Sequence, residues 1–316
     1  MKLFNLIIDR SFVPYGFRCN YIVPLPKGND CKSKAMTCDD FRGIAISSIV
    51  SKIFEHCILK IFHLYLSSSD NQFGFKKGLG CSHAVFTARK IIEQIICDGG
   101  TANLCSIDLS KAFDKVNHNA LFIKLMQRHV PDKLLELLEN WFSNYLSAVK
   151  WGAAFSVFFF SVTFGVRQGS VLSPSLFAIY VDKIALSGSF VNRSYIVLYA
   201  DDILLISQSV CDLQSLLSKC ESELAWLDMR INVAKSCCLR IGLRYNVTCA
   251  NLETRTGAKL QWSSEIRYLG VYIVSSRRFR CNISYAKRSF YRAANAIFGK
   301  VGRAASEDVF VHLVYS

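Results

Sequence analysis

The sequence predicts a mixed helix-and-sheet body, α/β or α+β, with enough material for one large domain or two ordinary ones. Three observations predict it. Strand-like and helical hydrophobic patterns alternate along the chain, which argues against a bundle or a sandwich. The residues are 51% apolar and 20% charged, a composition that excludes disorder. A chain of 316 residues buries roughly three-quarters of its unfolded surface and needs no disulfide staple.

In chain order, Tyr21 to Leu25 and Phe41 to Ile46 read as strands, with the polar, lysine-bearing stretch Lys27 to Asp40 as the loop between them. Ile49 to Leu66 and Ala84 to Ile96 read as helices. In the second, Ala84, Ala88, Ile91, Ile92 and Ile95 share one face, Ser82 is placed to cap it and Gly99 to stop it. Leu104 to Asp108 is a short apolar strand that ends on an acid. Asp132 to Leu146 is an amphipathic helix, with Leu134, Leu137, Leu138, Trp141, Phe142 and Tyr145 in register. Phe155 to Val166 has strand character. Ser173 and Pro174 occupy the N-cap and first helical positions of a helix that runs to about Leu186. Ser194 to Ser207 is apolar on both sides of two aspartates: a strand, a tight turn and a strand. Leu213, Leu216, Leu217, Cys220, Leu224 and Leu227 mark a further helix. From Arg277 to Arg303 eight basic residues occur without an acid, interleaved with Phe279, Tyr285, Phe290, Tyr291 and Phe298.

The 38 lysines and arginines against 24 acids leave a net charge of +14. An excess that large points to a polyanionic partner, nucleic acid ahead of an anionic membrane. The longest apolar stretch, Ala153 to Val166, carries serines and a threonine and falls short of the roughly 20 residues a spanning helix needs. Asp9 and Arg10 interrupt the N-terminal apolar run too early for an export signal. The 13 cysteines are odd in number, scattered and without a CxxC pair, which reads as a reduced, intracellular chain. GFKKGLG lacks the ending of a phosphate-binding Walker loop, and no GxSxG elbow occurs.

The segment YIVLYADDILLIS carries the chemistry. Asp201 and Asp202 interrupt an apolar hairpin, either as solvated turn residues or as a pair of like charges that a cation must neutralise. Asp108, at the end of another apolar strand, tips the balance towards the second reading. Carboxylate oxygens on rigid strand ends suit Mg²⁺, which leaves its other sites to water and phosphates.

Taken in order, FRGIAISSIVSKIFE, NQFGFKKGLG, SIDLSKAFDKVNH, GVRQGSVLSPSLFAIYVD, YADDILLIS, INVAKS and RYLGVYI resemble the motif set of reverse transcriptases. The likeness is closest to those of non-LTR (LINE, jockey-like) retrotransposons, and AFDKVNH and RYLGVYI favour these over the group II intron type. The motifs span Phe41 to Ile273. The resemblance implies an α+β right-hand polymerase fold. Residues 1–276 would form fingers and palm, with an antiparallel palm sheet carrying the acids and helices behind it. Residues 277–316 would begin a thumb that is incomplete. It also implies an RNA-directed DNA polymerase with two Mg²⁺ ions, Mn²⁺ being a substitute. Its partners would be an RNA template, a DNA primer or nicked target DNA, and dNTPs, without a membrane. The endonuclease region of such an element has no counterpart in the sequence, which reads as a fragment of a mobile element. The rival reading is a catalytically silent remnant that binds RNA or DNA. The expected compartment is the nucleus, or a cytoplasmic ribonucleoprotein.

Carried across by resemblance, Asp108, Asp201 and Asp202 match the metal-binding triad, joined by the main chain of Leu109. Phe113 matches the steric gate that excludes a 2′-hydroxyl; otherwise it is a core phenylalanine. Gln168 and Gly169 match residues lining the nucleotide and template pocket, the glycine allowing close backbone approach. Arg167 adds charge there or is a surface cation. Arg42 matches the fingers arginine that grips the triphosphate. Lys27 stands where a phosphate-binding lysine would, or is simply solvated. Lys235 matches a lysine that protonates the pyrophosphate leaving group. Leu269 and Gly270 resemble the primer-grip turn, and Tyr199 and Ala200 lie against the primer end. Asp114 reads as structural. Lys287, Arg288 and Arg292 would line phosphates of a template–primer duplex, with Ile283, Ala286, Phe290 and Ile297 facing inward; the alternative is a solvated helix face.

Overall fold

Polar caps and turn residues cut the chain into alternating helices and strands. The computed structural model describes residues 2–27, 36–186, 193–301 and 305–315. Helix α1 (Lys2–Asp9) and the short α2 (Tyr15–Arg18) precede β1 (Cys19–Pro26), which pairs antiparallel with β2 (Phe41–Ile46). Residues 28–35 of the expected loop between them lie outside the described residues. Helix α3 (Ile49–Ile61) starts where the Ser48 hydroxyl accepts the Ser51 N–H at 3.1 Å. Helix α4 (Cys81–Cys97) gives way at Gly99, φ +78°, to β3 (Thr101–Ile107). Then come α5 (His118–Gln127), α6 (Asp132–Ser143), β4 (Leu146–Trp151), and the two-residue strands β5 (Ala154–Phe155) and β6 (Phe160–Ser161). After α7 (Ser173–Ala185) the hairpin β7 (Ser194–Tyr199) and β8 (Asp202–Ser207) leads into α8 (Val210–Trp226) and β9 (Cys237–Gly242). The remainder is β10 (Leu252–Glu253), β11 (Lys259–Leu260), β12 (Glu265–Tyr268), β13 (Val271–Val274), β14 (Cys281–Asn282), α9 (Ser284–Val301) and α10 (Glu307–Tyr315).

The central sheet is antiparallel, in the order β7-β8-β3-β9. Alternation along its strands feeds two cores. Cys105, Ile107, Ile196, Leu198, Ile203 and Leu205 point to one face, packed with residues of α5 to α8. Ala102, Leu104, Val197, Leu204 and Ile206 point to the other, against Ala84, Ala88, Ile92 and Ile95 of α4 and Ile266, Tyr268 and Ile273 of the β12–β13 hairpin. Each fully buried leucine or isoleucine contributes roughly 1.5–3 kcal/mol. The sheet is therefore covered on both faces, not only behind. A second sheet, in the order β2-β1-β4-β5 with β6 on β4, joins β1 and β4 in parallel.

Four local expectations change. Helix α3 stops at Ile61 and continues as hydrogen-bonded turns, which lets Leu66 fold back into the core. Helix α4 starts at Cys81 instead of being capped by Ser82; His83 Nδ1 accepts the Gly80 N–H at 3.1 Å and does the capping. Of Phe155 to Val166 only two short strand pieces form. The aromatic side chains there stay largely exposed, with Phe158 80% accessible, so no packing extends the pairing. Ser173 is the first residue of α7, not its cap: Leu172 before it already has helical backbone angles, and the Ser173 N–H donates to the Ser170 hydroxyl at 3.3 Å.

Candidate active site

Asp108 follows the last residue of β3 and Asp202 opens β8. The pairing that sets Ile107 opposite Ile203 thus brings both acids to one end of the sheet. Asp201 lies in the two-residue turn that closes on Tyr199 opposite Asp202, and its neighbour Ala200 has φ +56°. Burial raises the pKa of Asp201; Asp108 adds to the rise, while Arg42 and Lys235 oppose it. Burial, then the charges of Asp201 and Asp108, push Asp202 up to about 6, with Arg267 opposing. The charge of Asp108 thus raises both acids of the turn, and the framework holds them near it against that repulsion.

The INVAKS turn closes on Asp108. The Asn232 N–H donates to the Asp108 carbonyl at 2.9 Å, the Asp108 N–H donates to the Ser236 hydroxyl at 3.1 Å, and Lys235 Nζ lies 3.8 Å from Asp108 Oδ2. Leu109 forms an antiparallel bridge with Ile231. That bridge uses the Asp108 carbonyl and the Ser110 N–H, so the Leu109 carbonyl is directed away from it. No three acid, thiol or imidazole groups stand at metal-ligand spacing among the described residues. The donor chemistry itself suits a hard divalent cation: carboxylates with raised pKa on strand ends and a main-chain carbonyl.

Beside the acids, Phe113 opens a 3₁₀ turn and stacks on Phe177, ring centroids 4.5 Å apart at 14°, with Phe75 edge-on at 5.9 Å. Gln168 Nε2 donates to Asp114 Oδ1 at 3.2 Å, and the Gln168 carbonyl accepts the Ala45 N–H at 2.7 Å. Gly169, at φ +113°, is a correction to the reading of close ligand approach: a Cβ there would lie 2.6 Å from the Ala45 carbonyl oxygen, so the missing side chain lets this loop sit on β2. Arg42 is exposed on β2, opposite Leu25, within electrostatic reach of Asp201. Lys27 is engaged in its own loop, with Nζ donating to the Asp39 carbonyl at 2.7 Å.

Arg167 is neither a pocket charge nor a surface cation. Its side chain is 8% exposed, lies 3.4 Å from the fully buried Glu55 and stacks over Tyr145 at 4.0 Å. Burial, offset by Glu55, brings its pKa down to about 10. Glu55 Oε2 also accepts from the Ser170 hydroxyl at 2.6 Å and from the Val171 and Leu172 N–H groups at 2.6 and 3.0 Å. Glu55 is thus the anchor of the loop from Gln168 to Leu172 that leads into α7. Its signal in the sequence is an acid between Phe54 and Ile58 on the buried stripe of α3. Ser236 is the second residue missed; nothing in its local pattern marks it.

The remaining residues lie further out. Tyr199 is half-buried, and its hydroxyl meets the Cys81 thiol, which raises its pKa. Leu269 and Gly270, at φ +47° and +83°, form the turn between β12 and β13. The neighbouring Tyr268 hydroxyl is buried without a hydrogen-bond partner among the described residues. Burial first, then Asp202, pushes its pKa well up. Lys287, Arg288 and Arg292 are exposed on α9. The inward face expected there does not form: Ile283, Ala286 and Phe290 are exposed and Ile297 is only half-buried, because α9 buries none of its side chains among the described residues. Its firm contact is Tyr285 stacked on Tyr272 at 3.9 Å. Arg303 lies outside the described residues.

The sequence profile described as "Reverse transcriptase (RNA-dependent DNA polymerase)" matches residues 25–273. The chain belongs to the reverse transcriptase family. It is 24% identical over 300 residues to the retrovirus-related Pol polyprotein from type-2 retrotransposable element R2DM of Drosophila melanogaster, covering 89% of this chain and 28% of that one. It is 26% identical over 306 residues to the RNA-directed DNA polymerase from mobile element jockey of Drosophila funebris, covering 91% of this chain and 32% of that one. The chain thus spans about a third or less of these relatives. Among solved structures, apo telomerase from Candida tropicalis superposes with a TM-score of 0.59 at 14% identity, over 89% of this chain and 52% of that one. The telomerase from Candida albicans also superposes at 0.59, with 12% identity, over 89% of this chain and 49% of that one. At such identities the likeness shows the fold: a right-hand polymerase. All three acids, Arg42 and Lys235 fall inside the span matched to reverse transcriptases, whereas α9 lies beyond it.

Proposed function

We propose that the chain is the RNA-directed DNA polymerase core of a non-LTR retrotransposon, adding dNTPs to a primer 3′-end on an RNA template. The observation that carries this reading is the meeting of Asp108 with the Asp201–Asp202 turn, with Arg42 and Lys235 in electrostatic reach of Asp201. Residues 1–276 make up fingers and palm, and 277–316 begin the thumb.

Asp108, Asp201, Asp202 and the Leu109 carbonyl would hold the divalent ions that reverse transcriptases use, Mg²⁺ with Mn²⁺ as a substitute. When bound, such ions activate the attacking hydroxyl and stabilise the leaving pyrophosphate. The residues of the chain do the rest. Arg42 grips triphosphate oxygens with its guanidinium fork, and Lys27, once released from Asp39, adds a second cation. Lys235 donates a proton to the pyrophosphate oxygen. Phe113, backed by Phe177, closes the space a 2′-hydroxyl would need. Gln168 lines the nucleotide and template pocket, held by Asp114. Tyr199, Ala200 and the Leu269–Gly270 turn flank the primer end, and Lys287, Arg288 and Arg292 contact phosphates of the duplex. RNA template, primer or nicked target DNA and dNTPs are the partners. No helix among the described residues is long and apolar enough to cross a membrane; the nucleus is the compartment this reading favours.

The test is primer extension on an RNA template with dNTPs and Mg²⁺ at low salt, with Asp201→Asn/Asp202→Asn alongside and rNTPs as the substrate control. Extension that needs the aspartates and rejects rNTPs is expected. Tight template–primer binding without extension, equal in wild type and variant, sinks the polymerase reading in favour of a silent nucleic-acid-binding remnant.

A further inference from the structure

The turn that carries Asp201 and Asp202 is badly suited to hold itself. Ala200 stands at its first central position with φ +56°, where glycine is the ordinary occupant. A left-handed alanine costs roughly 1–2 kcal/mol on its own. Whatever offsets that cost also decides how the two acids are aimed, since they follow Ala200 directly in the chain.

The side chain of Gln72 meets this need. It is fully buried, and both ends of its amide are spent on the turn. Oε1 accepts the Ala200 N–H at 3.0 Å and the Gly74 N–H at 2.9 Å, while Nε2 donates to the Ala200 carbonyl at 3.4 Å. The backbone on either side is locked to β7: the Leu198 N–H donates to the Asn71 carbonyl at 2.9 Å, and the Phe73 N–H donates to the Leu198 carbonyl at 2.8 Å. Gly74 has no room for a side chain, since a Cβ there would lie 2.5 Å from the Ala200 nitrogen. The segment is itself anchored, because the Ser69 N–H donates to Asp182 of α7 at 2.7 Å and the Asn71 side chain donates to the Ala185 carbonyl at 3.0 Å.

We propose that Gln72 is a positioning residue for the acid turn: its amide clamps Ala200 in the left-handed conformation and so fixes the direction of Asp201 and Asp202. Gln72 touches neither substrate nor ion and acts through the backbone of residue 200. The catalytic consequence rests on the polymerase reading above; the clamp itself does not.

The experiment compares the full chain with Gln72→Met, Ala200→Gly and the double variant, by hydrogen exchange and by primer extension. Methionine keeps the shape and removes both polar ends. Gln72→Met is expected to speed exchange at the Ala200 amide about tenfold or more while α8 is unchanged. It should lower kcat about 10-fold or more, with KM for dNTP and template–primer affinity within about twofold. Glycine adopts the turn unaided, so in the Ala200→Gly background the same Gln72→Met change should cost under about threefold in kcat. If Gln72→Met alone does not fold, a folded and extending double variant carries the same conclusion. Equal Ala200 exchange in wild type and Gln72→Met overturns the clamp. So does an equal kcat loss in both backgrounds, or a double variant that fails to fold with its parent. Accelerated exchange in a chain that never extends a primer sinks the polymerase reading and leaves the clamp standing.

Discussion

Lys111 Nζ lies 2.5 Å from Asp39 Oδ1, so an ion pair ties the loop between β1 and β2 to the segment that follows Asp108. The contact holds Asp39 below, and Lys111 above, their ordinary pKa values. It links the hairpin bearing Lys27 and Arg42 to the acids on the central sheet. Because the pair is exposed, its weight lies in placement. Lys111→Ala is expected to leave Tm within about 2 °C while raising KM for dNTP about 3- to 10-fold. Steady-state kinetics at 50 and 300 mM salt check it: the gap between wild type and variant should shrink as salt rises.

Gly169 has neither space nor a permissive backbone angle for a side chain. Gly169→Ala adds left-handed strain to a clash with the Ala45 carbonyl and should cost about 1–3 kcal/mol by urea denaturation. Primer extension should fall further than that loss explains, because Gln168 moves with its neighbour. Unchanged stability would show that the loop separates freely from β2.

The buried pair Glu55–Arg167 predicts non-additivity. Arg167→Met leaves an unpaired carboxylate in the core and should destabilise by about 3–5 kcal/mol. Adding Glu55→Gln removes the stranded charge, so the double variant should recover a substantial part of that loss. Denaturation of the two singles and the double gives the coupling directly; additive losses would rule the pair out.

At the proposed nucleotide pocket, Phe113→Ala should admit rNTPs, raising their kcat/KM relative to dNTPs on the order of 10- to 100-fold. The same change gives up the stack on Phe177, worth about 0.5–1.5 kcal/mol beyond area burial. Competition between dCTP and CTP on one template is the measurement, and unaltered discrimination would reduce Phe113 to packing.

His118 is half-buried, with Nε2 within hydrogen-bond distance, 2.8 Å, of the Gly165 carbonyl, and burial lowers its pKa. The unfolded chain therefore takes up a proton at this site as pH falls below about 6.5, while the folded chain resists it until lower pH. The contribution is full above that value and is lost as pH drops through the window beneath it. His118→Gln should flatten the fall in stability between about pH 6.5 and 5 relative to wild type. Parallel denaturation curves across that range would contradict this.

Much of the fold was legible because its signals are local. The DD pair between apolar runs marks the β7–β8 turn, and the stripe from Ala84 to Ile95 marks α4. The ordered motifs assembled the acids before any register was known. What could not be read depends on distant chain segments meeting. Glu55 holds a loop more than a hundred residues away in the chain, and Arg167 is buried beside it. Gly169 looks like ligand space until Ala45 is set beneath it. The apolar positions of α9 suggested an inward face, but periodicity cannot supply the surface against which a face is buried.

The pairing of the central sheet has a consequence for how the chain comes off the ribosome. Strand β3, which ends beside Asp108, lies between β8 and β9, and both neighbours are downstream of it, the second ending only at Gly242. Its edges must stay open while more than a hundred further residues are made, on the order of 5–20 residues per second. Such long-range pairing is slow and leaves an apolar strand exposed to wrong partners in the meantime. A nascent chain halted before residue 237 should be prone to aggregate and to occupy chaperones, whereas one released after Gly242 can close its sheet.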